Sequence, residues 1–70
     1  MMPLLVAPKG EPQVIKRVGG RDEMKKHLAD LGFVAGAVVS VVSDLDGNLI
    51  VNIKDARVAI NKELAGKIFV

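Results

Sequence analysis

Leu28-Ala29-Asp30-Leu31-Gly32-Phe33-Val34-Ala35-Gly36-Ala37-Val38-Val39-Ser40-Val41-Val42 changes its periodicity half-way along, and that change decides how the chain folds. Upstream, Met24, Leu28 and Leu31 fall at i, i+4 and i+7, one face of a helix, while Lys25, Lys26, Ala29 and Asp30 lie largely away from it. Asp22 stands where it can cap the start, so the spacing predicts a helix over about 22–31. Gly32 sits where a helix ends in a left-handed residue, and Phe33 just beyond it can fold back on Leu28. After Gly36, four valines surround one serine from Val38 to Val42, a run too short and too β-branched for a good helix. It reads as a central strand.

Working outward, Asp44, Leu45, Asp46, Gly47 and Asn48 predict a tight reversal, because Asp, Gly and Asn tolerate positive φ. The returning strand, Asn48 to Lys54, puts Leu49, Val51 and Ile53 on one side and Ile50 and Lys54 on the other. Asp55-Ala56 predicts a second turn, followed by a strand over Arg57 to Ile60. Asn61 is placed to cap a helical turn over about 61–65, Gly66 stops it, and Lys67 to Val70 closes the chain as a strand. Towards the N-terminus, Pro3 to Ala7 reads as an apolar strand, the residues from Pro8 to Pro12 as a turn, and Gln13 to Val18 as a further strand. Crossovers for a parallel sheet would consume too much of the chain. The expectation is therefore a mainly β fold, a small barrel of five to six short antiparallel strands with one inserted helix.

At 70 residues the chain predicts a single domain, residues 1–70, with a thin core. It has no cysteine, which rules out a disulfide framework and a thiolate zinc site and agrees with a cytoplasmic setting. The longest apolar stretches, such as Phe33 to Val39, fall far short of the roughly 18 residues of a membrane span. No secretory signal pattern opens the sequence. Lys16, Arg17, Arg21, Lys25 and Lys26 gather within eleven residues, but Asp22 and Glu23 interrupt them and the net charge is only +2. With no Trp or Tyr and only Phe33 and Phe69 to stack on bases, nucleic-acid binding is not expected.

Nothing in the sequence assembles a nucleophilic centre, so no enzymatic activity and no cofactor are expected. Ser40 and Ser43 lie in or beside a strand, and the one histidine, His27, has Leu31 rather than a second ligand at i+4. Asp44, Asp46 and Gly47 echo a calcium loop, but the strand that follows fits a turn instead. Gly19-Gly20 has neither the spacing nor the Lys-Ser/Thr pair of a phosphate loop.

The run Leu28 to Val42, with Gly47-Asn48-Leu49-Ile50-Val51, Arg57-Val58-Ala59-Ile60 and Ala65-Gly66-Lys67-Ile68-Phe69-Val70, resembles the ferrous iron transport protein A (FeoA) family over about residues 3–70. Two features depart from it: His27 where members often have arginine, and a compact Asp-Leu-Asp-Gly turn in place of a longer proline-containing loop. The resemblance implies an SH3-like barrel with an inserted helix. It also implies a small cytosolic accessory of ferrous iron uptake, acting on FeoB, a permease with a cytoplasmic GTP-binding domain, and touching the membrane only through that partner. Met24 and Leu45, with Lys25 and His27 at the rim, are the expected contact residues, although for Met24 the helical stripe favours a place in the core. Arg17, Arg21 and Arg57 are all candidates for an arginine finger supplied in trans. A similar domain occurs at the C-terminus of iron-dependent repressors. The second reading is accordingly a metal-binding or metal-sensing module, in which His27 with Glu23 or Asp30 holds Fe²⁺ weakly. Tight binding would want two histidines and a carboxylate. Self-association into a dimer or trimer is compatible with either reading.

Overall fold

A computed structural model describes residues 1–70. Helix α1 spans Asp22–Asp30. Its cap is Arg21, in an extended conformation and with no side-chain cap bond, so Asp22 lies inside the first turn rather than before it. There Asp22 and Glu23 face the positive end of the helix dipole, which favours acidic side chains without a capping bond. The helix ends as expected. Gly32 has φ +102°, its N–H donates to the Ala29 carbonyl at 2.9 Å, and the Phe33 N–H donates to the Leu28 carbonyl at 2.9 Å. This double closure folds the chain back and buries Leu28 and Phe33 together in the core.

Six short strands surround that core: β1 (Gln13–Val14), β2 (Arg17–Val18), β3 (Val38–Leu45), β4 (Asn48–Ile53), β5 (Ala56–Asn61) and β6 (Ile68–Phe69). They form a four-stranded antiparallel sheet in the order β1-β3-β4-β5 and a two-stranded one, β2-β6. Residues 13–18, expected as one strand, divide between the two sheets. Val14 pairs with Val38, the Ile15 N–H donates to the Ala37 carbonyl, and the Lys16 N–H donates to the Phe69 carbonyl. The break falls at Ile15, which is fully buried. Val14, expected to be available for burial, is half-exposed on the outer face.

The apolar run near the N-terminus is not a strand. Met2 and Val70 exchange two backbone hydrogen bonds, after which Leu4–Val6 forms a 3₁₀ turn. Leu4 and Ala7 are buried while Leu5 and Val6 face outward. A spacing of three between buried residues suits a 3₁₀ turn, in which i and i+3 eclipse, and not the alternation of a strand.

The β3–β4 hairpin turns through Asp46 and Gly47, both at positive φ, as a two-residue reversal requires. Within it the register shifts between Val41 and Ser43. The extra residue moves the following side chains to the opposite face, so Asp44 comes opposite the buried Leu49. Leu49, Val51 and Ile53 all point into the core, as their alternation predicts.

The next turn is Lys54-Asp55, not Asp55-Ala56, and β4 stops at Ile53. The expected turn would have set Lys54 directly opposite Arg57, an unfavourable like-charge pair. In the observed register Arg57 faces Asn52 instead. Asn61 then caps the short helix α2 (Lys62–Ala65), its Oδ1 accepting from the Leu64 N–H at 2.8 Å.

Two substitutions test these turns. Gly32→Ala must adopt a backbone that L-residues rarely occupy and meets the flexible Lys54 side chain 3.2 Å away. It should cost about 1–3 kcal/mol, read as a melting temperature lowered by about 4–8 °C per kcal/mol. Asp55→Gly should act the other way, since Asp55 sits at φ +62°. Relief of about 1–2 kcal/mol of left-handed strain, less about 0.5–1 for glycine's entropy, should leave a net gain visible in urea unfolding.

Candidate partner-docking surface

No polar or charged side chain is buried in this fold, and the interior is wholly aliphatic apart from Phe33. Every ionisable group therefore stands at the surface, in water, and whatever the chain recognises it recognises from its exterior. Two regions stand out.

The first is the outer face of the four-stranded sheet. Inward burial of Val39 and Val41 turns Val38 and Ser40 outward. Val14 and Val38 are direct cross-strand partners, and both are more than half exposed, at 51% and 55%. Beside them runs a polar row across three strands, Ser40 opposite Asn52 and Asn52 opposite Arg57, with Arg57 Nε donating to Asn52 Oδ1 at 3.3 Å. Val38, Ser40 and Asn52 border an open groove of about 580 Å³, reaching from Pro12 to the Lys54-Asp55 turn. An apolar wall beside amide and hydroxyl groups suits an amphipathic segment better than a small polar metabolite.

The second region surrounds α1. Met24 is half-buried against the core, and its Sδ closes over Gly20, 2.9 Å from where a Cβ would stand. Lys25 and His27 are exposed on the helix. Lys67 leans across Gly20 towards the same end. Arg17 lies over the Phe69 ring with its guanidinium carbon 4.9 Å from the centroid, a cation–π contact. Leu45, 60% exposed, belongs to a different element, the end of β3 beside the Asp46-Gly47 reversal. The residues expected to make one contact thus occupy two separate elements, three on α1 and one on a hairpin. Near Leu45, Asp44 and Lys62 form a half-exposed ion pair at 3.6 Å.

Sequence reasoning missed the outer sheet face because β3 carries valines on both sides. Their parity became visible only from pairing with Leu49, Val51 and Ile53. For a metal ion, no three His, Asp or Glu side chains come together in an arrangement that could hold one.

This architecture, two small antiparallel sheets around one core with a helix between β2 and β3, is that of a small SH3-like β-barrel. The same fold is found in the Stenotrophomonas maltophilia FeoA protein complexed with zinc, described as a prokaryotic SH3 domain protein. The two superpose with a TM-score of 0.84 at 25% identity, over 99% of this chain and 88% of that one. A manganese-dependent transcriptional repressor shares the fold at 21% identity and a TM-score of 0.86, over 97% of this chain and 39% of that one.

The FeoA domain family matches residues 2–70. A Methanocaldococcus jannaschii protein that carries the provisional name Fe(2+) transport protein A is 30% identical over 70 residues, all of this chain and 85% of that protein. The chain belongs to the FeoA family, that of ferrous iron transport protein A.

Because Leu45 is exposed and lies outside the core cluster, Leu45→Ser should change unfolding free energy by less than about 0.5 kcal/mol. Chemical denaturation checks this, and an unchanged midpoint qualifies the variant as a clean probe of binding.

Proposed function

We propose that this chain is a cytoplasmic, non-enzymatic accessory of ferrous iron uptake that docks on the cytoplasmic part of a FeoB-type GTP-binding permease. The observation that carries this reading is membership of the FeoA family across residues 2–70. A surface with exposed apolar side chains at Val14, Val38 and Leu45, above an interior without a single buried polar side chain, supports binding rather than catalysis. In this reading Leu45 and the exposed side of α1, with Lys25 and His27, form the contact, and Met24 supports the helix from beneath.

The metal-binding reading draws on the zinc complex of the Stenotrophomonas relative. His27 has Glu23 at i−4 and Asp30 at i+3 on the same helix, positions that share a face. A single histidine with such carboxylates makes a weak, exposed site, so docking is the principal role.

The test is a calorimetric titration against the isolated cytoplasmic domain of the cognate permease, with and without GTP and Fe²⁺. Saturable one-to-one binding, weakened about tenfold or more by Leu45→Ser or by Lys25→Glu, is the expected result. Absence of binding under every condition would remove the docking reading for the soluble domain. Loss of Fe²⁺ binding in His27→Ala, with partner binding intact, would assign the metal to a separate role.

A further inference from the structure

A free strand edge is a row of unsatisfied donors and acceptors, and proteins usually shorten, charge or cover it. The four-stranded sheet has two such edges. One, β1, is only two residues long. The other, β5, runs for six residues, contains no proline and carries the single charge of Arg57.

The hairpin register decides which β5 groups are unsatisfied. Ile53 and Ala56 flank a two-residue turn and form its first hydrogen-bonded pair, so the paired residues of β5 are Ala56, Val58 and Ile60. Arg57 and Ala59 therefore direct their N–H and C=O groups away from β4. Those groups make no other backbone bond and accept from no side chain. Both residues are exposed, and Val58 between them is only partly buried.

We propose that β5 pairs with β5 of a second copy of this chain, antiparallel across a two-fold axis at Val58. In this register Arg57 of each copy faces Ala59 of the other, and four backbone hydrogen bonds close between the four outward-facing residues. The side chains agree. Arg57 meets a small neutral residue, the two Val58 side chains meet each other, and Asp55 comes level with Asn61 and next to Lys62 of the second copy. A two-fold axis at Arg57 would instead oppose two guanidinium groups, which is unfavourable. The strand is therefore complementary to itself in the register centred on Val58. The contact uses neither Leu45 nor α1, so it stands or falls independently of permease docking.

The wild-type chain is followed by sedimentation velocity and by amide exchange at about 20 μM and about 1 mM, a range across which mass action would fill a weak dimer. The expected result is a shift to the dimer with exchange at the Arg57 and Ala59 amides slowed about tenfold or more, while the amides of β1 are unchanged. Ala59→Pro removes only an outward-facing N–H, a substitution that edge strands tolerate. It should keep a cooperative melt and stay monomeric throughout. A wild-type chain that is monomeric at 1 mM overturns the proposal, as does a dimer indifferent to Ala59→Pro or one that protects other amides instead. If Ala59→Pro does not fold, the wild-type exchange pattern decides alone.

Discussion

Six residues, Gln13 to Val18, tie together both sheets of this protein. Only Ile15 of these is buried, where backbone donors and acceptors need partners, and the backbone on either side of it bonds to three separate neighbours. Gln13 and Val14 pair with β3, Ile15 binds the loop at Gly36 and Ala37, and Lys16 to Gly19 binds the chain around β6. The segment thus leaves one sheet and joins the other without a turn. Ile15, at the point of transfer, is fully enclosed. With so few residues available, one strand serving two sheets wraps a core that two independent sheets could not close.

That economy also shapes the surface. The core of 14 buried residues has no room for a polar group, and the long side chains of Lys54 and Lys67 lie over glycines rather than reaching inward. Specificity must come from the outline of the sheet, the hairpin tip and the exposed side of α1. The same barrel can present different partners with different outer residues while its interior stays constant, and fold alone therefore does not dictate role.

Much of this was legible in the sequence, because the strongest signals were local. Gly32 followed by Phe33 announced the helix end, and Asp46-Gly47 the reversal. Leu49, Val51 and Ile53 announced the inward face of β4, and Asn61 the cap of α2. What was hidden depended on distant partners. Pro3 to Ala7 lacks alternation, and only its packing beside β6 selects a 3₁₀ turn. Residues 13–18 look uniform until β3 and β6 claim opposite halves. The outer face of the sheet stayed hidden for the same reason: valine occupies both sides of β3, and the shift between Val41 and Ser43 cannot be seen without β4. Met24 had two readings from the helical stripe, and its half-buried place against the core accommodates the structural one while leaving α1's neighbouring Lys25 and His27 exposed.

Met2 and Val70 donate to each other's carbonyls at 2.9 and 2.8 Å, so the two ends of the described chain lie side by side. A polypeptide passing through this barrel leaves it almost where it came in. Spliced into a surface loop of another protein, the whole unit would span a gap hardly wider than the spacing of two strands, about 5 Å. The barrel could then be moved between hosts as a self-contained cassette, without prising the host's own fold apart.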